Sequence, residues 1–451
     1  MSLDYLISTG FRIKELSLVA KDKTERTLVG HYKEINIFDS ILQPCLTGNI
    51  LIEDSSGLSD SFLFDGNDFL KIHIGKVDDD ILDIKRIFRI YKQSDRKVVN
   101  QNKETYILHF ISEEYVTSQF KKVGQFYSNT TYTDAALSIL RDHMKAPEDK
   151  IQNGEFNTSL GVADIIVPLY LNPIQAIMWM AKECAIDMEQ RPCFLFFENI
   201  SGYNFASLSN LLEKESIVNI NFDPKNLSNT NEVKDMLGAR YFEVIQQFDI
   251  LTNIKNGVYS GKFIGYDKNV AQSVQVNFDY NSINHPKNSR NNGPAVANLK
   301  MVDGNILNGT SESSIIEGHT SLMTRFLDTV KEDSPGEFEK KIPYEQILFQ
   351  RKSIFTNLFS QRVKVVIPGN FAVSSGSNVY LNVPKFSEKV AGENNLDRTL
   401  YGHYLVIAAR HKLTPDNKHE TIFEACTNSS NRSENINKMT SINEYVSQNY
   451  A

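Results

Sequence analysis

Short segments of this chain recur in the same order in its two halves, and this recurrence restricts the fold more than any other feature. Residues 66–74 (GNDFLKIHI) match residues 376–383 (GSNVYLNV), and residues 103–110 (KETYILHF) match residues 419–426 (HETIFEAC). In each segment apolar and polar residues alternate over several positions. Period-two alternation predicts short strands of an antiparallel sheet or barrel that bury one face.

A third match precedes these two. Phe38 and Asp39 come before residues 48–54 (GNILIED), as Phe248 and Asp249 come before residues 261–267 (GKFIGYD). One such pair arises readily by chance, because few residue types satisfy turns and pleated strands. Three pairs in one order predict an internal repeat whose second copy is split by an insertion.

The region between the two copies changes to helical spacing. Asn172 is a favourable N-cap with Pro173 at the first helical position, and Thr133 is the expected N-cap of an earlier helix. The aromatic residues that follow predict a hairpin. The five are Phe194, Phe196, Phe197, Tyr203 and Phe205. They are a candidate partner surface, but alternation in a hairpin favours core packing.

The predicted fold is therefore mainly β with an α+β module, with two tube-like antiparallel β-barrel domains related by an internal repeat. The predicted divisions are residues 1–113 for the first barrel, 114–213 for the α+β module, 214–280 with 356–428 for the split second barrel, 281–355 for the insertion and connecting helix, and 429–451 for a C-terminal tail.

Composition narrows the functions available to such a fold. The chain has 451 residues, which is too long for one ordinary core. Its 48 Lys and Arg residues against 55 Asp and Glu residues give a net charge of -7. Stable binding of nucleic acid depends on an excess of cations that neutralise phosphates. The charge balance therefore argues against such binding.

Cysteine usage and hydropathy give two further expectations. Reduced cysteines in apolar surroundings are expected at all four positions, which are Cys45, Cys184, Cys193 and Cys426. Neither a signal peptide nor a membrane span is expected, because the most apolar stretch, residues 165–181, is broken by Pro168, Asn172 and Pro173.

Four segments of the sequence carry a resemblance to a known family. They are residues 48–54 after Pro44, residues 66–74, residues 196–199 (FFEN) with 202–205 (GYNF), and residues 366–369 (VIPG) leading to Gly376. Through these segments the chain resembles the central baseplate hub proteins of T-even-type myophages, over roughly residues 30–430. The insertion at 281–343 looks longer here than in that family.

The resemblance implies a non-enzymatic structural protein that adapts a sixfold tail tube to a threefold central spike. Its expected partners are two further copies in a homotrimer, the central spike protein, a tail tube or tube-initiator protein, the tape measure protein and the baseplate wedge proteins. DNA would pass only in transit, and the expected location is the tail baseplate of a virion assembled in the host bacterial cytoplasm. A trimer with two barrels per chain presents 3 × 2 = 6 barrels, which suits this junction.

No catalytic, cofactor-binding or metal-binding residue is predicted. His403, His411 and His419 recur at equal spacing, but on strands this favours unrelated surface histidines over a metal site. The acidic run of Asp78, Asp79, Asp80 and Asp83 lacks the glycine and distal glutamate of a calcium loop and is expected to be a solvated turn.

Two alternatives stay open at this stage. The first is the hub part of another contractile injection system, whose spike would be a separate chain. The second is a β-scaffold hydrolase with a pair of carboxylates, which residue patterns alone do not locate. An inert trimer would favour the hub, and a monomer with turnover would favour the hydrolase.

Overall fold

The computed structural model describes residues 11–62, 64–75, 84–100, 103–184, 192–222, 238–267, 271–279, 322–327, 344–385 and 396–429. The strands are β1 Arg12–Val19, β2 Glu25–Thr27, β3 Tyr32–Ser40, β4 Thr47–Asp54, β5 Phe69–Gly75, β6 Ile84–Asn100, β7 Lys103–Ser112, β8 Phe126–Thr130, β9 Ala163–Ile166, β10 Phe194–Glu198, β11 Tyr203–Ser207, β12 Val218–Asn221, β13 Tyr241–Gln246, β14 Ser260–Asp267, β15 Gln272–Asp279, β16 Leu322–Leu327, β17 Gln361–Pro368, β18 Asn378–Asn382, β19 Gly402–Thr414 and β20 Lys418–Thr427.

Helices are shorter and mostly lie between the strands of the two halves. The α-helices are Leu58–Ser61, Glu113–Gln119, Tyr132–Ser138, Glu148–Gln152, Pro173–Trp179, Leu208–Glu213, Ile250–Lys255 and Tyr344–Leu358. Two of them continue as π-helix, over Ile139–Met144 and Met180–Cys184. The protein is mainly β with some α, as the sequence predicts.

Thirteen strands join in one large sheet, and its order repeats. The first half has the order β1-β5-β6-β7-β4-β3 across the sheet, and the second half has the order β12-β18-β19-β20-β17-β13. If the strands of each half are numbered by their order in the chain, both halves show the same strand order across the sheet. One departure is that β12 runs parallel to β18, whereas β1 is antiparallel to β5.

Local irregularities recur at equivalent positions too. A bulge places Tyr91 of β6 outside the pairing with β7, and a bulge places Ile407 of β19 outside the pairing with β20. Gly66 and Gly376, which precede β5 and β18, have φ angles of 84° and 85°. Left-handed backbone of this kind favours glycine, because it has no Cβ. The repeat therefore includes its turns and bulges as well as its strand order.

The expected separation into two closed barrels differs from what the described strands form. β3, at the edge of the first half, pairs with β19 of the second half from Ile35 to Ser40. Its hydrogen-bonding edge is thus used to join the halves, and the two copies merge into one continuous sheet in which no closed barrel is detected among the described residues.

One of the three matched segment pairs lies in strands that are not equivalent. Residues 48–54 lie in β4, but residues 261–267 lie in β14, which pairs with β15 and β16 in a separate three-stranded sheet. The strand equivalent to β4 is β17. Short hairpin-like segments with glycine and aspartate at fixed spacing are not specific enough to distinguish the two. A second pair, residues 103–110 with 419–426, lies in the equivalent strands β7 and β20 but is displaced by one residue, because Phe110 pairs with the residue before the Tyr91 bulge as Ala425 pairs with the residue before the Ile407 bulge.

The segment between β13 and β17 therefore forms an addition to the second copy. Its described parts include the helix Ile250–Lys255, the sheet of β14, β15 and β16, and the helix Tyr344–Leu358. The helix packs its Phe349 ring on Phe278 and against Gly261, where a Cβ would come within 2.2 Å of that ring. The short helix Ile250–Lys255 lies between β13 and β14. Most of the expected insertion at 281–343 lies outside the described residues.

The α+β module has the predicted N-cap at Asn172, whose side chain accepts from Gln175 N–H in a capping box. The other cap lies two residues earlier than predicted, because Thr131 accepts from Asp134 N–H while Thr133 is inside the helix and bonds to Asn157. β10 and β11 form the predicted hairpin. All five of its aromatic residues are buried, which confirms core packing.

Cys45, Cys193 and Cys426 are free and buried, as predicted, while the side chain of Cys184 is outside the described ones. No helix within the described ranges is long and apolar enough to cross a membrane. The run from Asp78 to Asp83 and the segment beyond Ser429 lie outside the described residues.

Candidate functional site

The large sheet has one buried face and one half-exposed face, and the half-exposed face is the candidate functional surface. Along β4, β7 and β17 buried and partly exposed positions alternate strictly over most of each strand. The buried positions pack into the hydrophobic cores of the two halves. The partly exposed positions of neighbouring strands lie side by side, because cross-strand partners point to the same face.

Charges of opposite sign alternate across this face in the second half. Lys364 of β17 lies between Glu243 of β13 and Glu424 of β20 in the strand register. One strand further, Lys412 of β19 lies opposite Glu420. Directly opposed pairs of opposite charge stabilise a sheet and leave little net charge on its surface.

The same alternation crosses the junction between the halves. Glu34 of β3 contacts Arg410 at 3.1 Å and Lys412 at 3.2 Å, both on β19. Burial opposes ionisation of Glu34, but hydrogen bonds from Asn36 and Lys412 hold its pKa below the usual value. The Arg410 guanidinium also lies 5.7 Å from the centre of the Phe38 ring. The cations here are thus engaged by carboxylates and an aromatic ring.

In the first half the middle of β4 and β7 is uncharged on this face. Asn36 donates to Asn49 at 2.8 Å, and the Ser94 hydroxyl lies 2.8 Å from His109. Glu53 neutralises two lysines at its end, with Lys33 and Lys103 each at 2.9 Å. Lys71 of β5 and Arg89 of β6 are paired with Glu25 and Glu113, whereas Lys85 and Lys92 of β6 are exposed. The described face therefore carries both acids and bases, and many of its cations lie beside carboxylates.

Beneath the junction between the halves lies a buried polar layer. Asp39 of β3 accepts from Ser375 N–H at 3.0 Å, and its second oxygen has no hydrogen-bond partner within the described residues. Burial raises the pKa of Asp39 to about 7. This carboxyl group is therefore largely protonated in mildly acidic solution.

Two of the three regularly spaced histidines belong to the same layer. His411 and His419 are buried, their ring nitrogens are 3.1 Å apart, and Phe371 stacks on His419. Burial lowers the pKa of His411 to about 3. Surface positions were expected, and this expectation was wrong for the pair because both side chains occupy the buried positions of alternating strands. His403 lies elsewhere, with Ser216 and Tyr380.

A buried ionic cluster fastens the α+β module to the first half of the sheet. Lys150 contacts Glu114 at 2.9 Å and Glu198 at 3.0 Å, and all three side chains are at most 10% exposed. Glu198 also accepts from Leu46 N–H and from the Ser112 hydroxyl. Burial alone would lower the pKa of Lys150, but the two carboxylates raise it. No motif in the sequence marks this cluster, since its members are far apart in the chain.

Among the described residues, a surface cleft of about 510 Å³ lies beside the module. Its lining includes Glu155 and Glu215. Glu155 is already engaged, because it forms an ion pair with Lys214 and accepts from Asn157. Among the described residues, no group of three or more His, Cys, Asp or Glu side chains is arranged to hold a metal ion.

Comparison with known proteins gives structural neighbours only. No protein-family model matches the chain, and no curated protein sequence matches it. A tail protein from Neisseria meningitidis is 10% identical, with 92% of this chain and 96% of that chain covered and a TM-score of 0.48. A 43 kDa prophage tail protein from Shewanella oneidensis is 10% identical, with 91% and 97% covered and a TM-score of 0.47.

A third similar structure is an E. coli component of the type VI secretion system, described as similar to T4 bacteriophage tail proteins. It is 9% identical, with 94% of this chain and 77% of that chain covered and a TM-score of 0.39. The neighbours are thus phage tail proteins and secretion-system proteins. At these low TM-scores the likeness carries no argument about what this chain does.

Proposed function

We propose that this chain is a non-enzymatic baseplate hub of a contractile phage tail, a trimeric ring that adapts the sixfold tail tube to the threefold spike and lets DNA pass. The observation that carries the proposal is the duplicated strand order. Three chains with two like sheets each supply six similar units around one axis while the assembly itself has threefold symmetry. Such a ring matches a sixfold neighbour on one side and a threefold neighbour on the other.

The character of the half-exposed face supports its assignment as the channel wall. A strand of DNA binds through many phosphate contacts with unopposed cations, each of which releases counterions. On this face Lys364, Arg410 and Lys412 lie beside carboxylates, and the middle of β4 and β7 contributes amide, hydroxyl and apolar groups. DNA that slides past such a wall would meet few sites that hold it.

The first experiment measures the mass and symmetry of the purified protein. Light scattering is expected to give three chains per particle, and electron microscopy is expected to show a ring with an open centre. A stable monomer or dimer at micromolar concentration, with the spike protein present, would refute the proposal.

A second experiment tests the channel wall. The double variant Glu420→Lys with Glu424→Lys removes two carboxylates from the wall and adds two cations, so we expect DNA affinity to rise with a steeper salt dependence. The matched control makes the same charge change on the exposed module surface, with Asp142→Lys and Glu148→Lys. Equal gains in both variants would show that this face has no special exposure to DNA.

The two alternatives give different results in the same preparations. A hub of another contractile injection system would form the same ring but bind the spike chain of that system. A hydrolase would turn over glycan or peptide substrates and would lose that activity in the Glu155→Gln and Glu215→Gln variants. The ion pair between Glu155 and Lys214 favours the structural interpretation.

A further inference from the structure

The strand pairing that joins the two halves of one chain has an equivalent on the same chain: two strand edges that correspond to β3 and β19 by the repeat but do not pair with each other. Within the chain, β3 pairs antiparallel with the end of β19, with Phe38 opposite Arg410 and Asn36 opposite Lys412. In the repeat, the strand equivalent to β3 is β13, and the strand equivalent to β19 is β6.

Both equivalent strands have an edge that no described strand occupies. β13 pairs only with β17, and beyond Arg89 the strand β6 pairs only with β7. Apolar side chains are exposed on these strands, including Val98 at 76% on β6 and Ile245 at 38% on β13. A long exposed edge with apolar side chains is unusual in a soluble protein, because it is a template for pairing with another chain.

We propose that β13 of one subunit pairs antiparallel with residues 92–98 of β6 in the next subunit, as β3 pairs with β19 inside each chain. The partner is thus a second copy of this chain. The inference names the contact between the subunits of the proposed ring, and it rests on the proposed function only for the number of subunits.

The register follows from the repeat. Ser94 is opposite Ile107 on β7 as Arg410 is opposite Ile422 on β20, and Gln246 is opposite Arg362 on β17 as Phe38 is opposite Thr47 on β4. Transferring the pair Phe38 and Arg410 therefore places Gln246 opposite Ser94. By the same steps, Glu243 faces Lys97 and Phe242 faces Val98.

The unoccupied edges of β6 and β13 each contain a bulge, and the two bulges keep the residues of the two strands in register. β6 has a bulge between Ser94 and Lys97, and β13 has a bulge between Val244 and Gln246. Each strand has one more residue at this point than its counterpart in the contact within the chain. The spacing from Ser94 to Lys97 therefore equals the spacing from Gln246 to Glu243. Matching extra residues on both strands are expected if the strands pair with each other.

Side-chain chemistry fits the same register. Lys97 meets Glu243, a pair of opposite charge, and exposed Val98 meets the half-buried Phe242. On the wall, Glu243 would then lie between Lys97 and Lys364, which continues the alternation of charge seen at Lys412 and Glu34. Such cross-strand pairs are the elements that stabilise a sheet.

Disulfide trapping tests the register. In the variant with Ser94→Cys and Gln246→Cys, we expect an oxidised cross-link between chains, and single-cysteine variants control for the buried native thiols. The pair Ser94→Cys with Glu243→Cys is the matched control, since three residues along a strand is about 10 Å and exceeds the roughly 7 Å that a disulfide spans. The pair Phe38→Cys with Arg410→Cys occupies the equivalent position within one chain and shows that the geometry permits the bond.

A charge exchange tests the contact without cysteines. We expect Lys97→Glu and Glu243→Lys each to weaken assembly several-fold, and the double variant to restore it. A threefold particle without the Ser94 to Gln246 cross-link, or without rescue by the exchange, overturns this contact but leaves the proposed hub. Cross-linked open filaments support the contact and overturn the closed ring, whereas an uncross-linked monomer overturns both.

Discussion

Replacement of Lys150 by methionine tests the buried ionic cluster that joins the α+β module to the sheet. The substitution removes the only cation between Glu114 and Glu198 and keeps the volume and the aliphatic stem. Removing one partner from a buried ion pair costs about 3–5 kcal/mol, because the remaining charge is left uncompensated. Here two carboxylates remain, and Glu198 is fully buried, so the upper half of that range is expected.

The assay is thermal unfolding followed by circular dichroism at pH 7. One kcal/mol corresponds to about 2–4 °C in a unit of 150–250 residues, so the first half and the module should melt roughly 8–20 °C lower.

Two controls decide how the result is interpreted. Lys85→Met removes an exposed lysine from β6 and is expected to change the melting temperature by little. Adding Glu114→Gln and Glu198→Gln to Lys150→Met removes the unpaired charges and should restore part of the loss. A shift of Lys150→Met no larger than that of Lys85→Met would refute the reasoning.

Three further predictions concern the sheet and its junction. Asp39→Asn should gain stability relative to the natural protein as pH rises from 4 to 7 and then level off, because burial raises the pKa of Asp39 from 3.8 to about 7 and its ionisation opposes folding; melting temperatures across that range test this. Gly48→Ala should destabilise by about 1–3 kcal/mol in urea titration, since a Cβ there comes within 2.2 Å of the Phe110 ring. His411→Gln should reduce the loss of stability on acidification below pH 6.5, because burial lowers the pKa of His411 to about 3 and the unfolded chain binds that proton first; an unchanged acid slope in unfolding titrations would contradict it.

The strand content was predictable because half-buried strands leave a period-two pattern. Leu70 and Ile72, or Tyr106 and Leu108, are buried as the alternation requires. The aromatic hairpin of the module was predictable for the same reason, and Asn172 followed by proline has the chemistry of a helix start. These features depend on neighbours in the chain, so a single sequence contains the information.

The pairing of the two halves was not predictable, since nothing in Ile35–Ser40 alone marks which strand lies beside it. Likewise the match of residues 261–267 to residues 48–54 followed a local pattern, whereas sheet membership depends on long-range contacts of β14. The Thr131 cap was missed because two threonines lie close together and either satisfies the capping rule.

The character of the half-exposed face was indicated by composition rather than by a local sequence pattern. Net charge predicted no excess of cations, but it did not predict that Lys364 and Lys412 would each face carboxylates across the sheet. That arrangement depends on strand register, which one residue of slip would reverse. Sequence composition therefore indicated the property of the surface without locating the surface.

The addition between β13 and β17 is present in only one of the two copies. In the other copy the equivalent strands, β3 and β4, are joined by the short segment from Ile41 to Leu46. Because two copies are linked covalently, any closed ring of these chains contains an even number of units, and the decoration recurs at every second one. In the proposed ring, units with and without the addition would therefore alternate. A partner that binds the addition would find one site per chain, whereas a partner that contacts only the sheet would find two similar sites per chain.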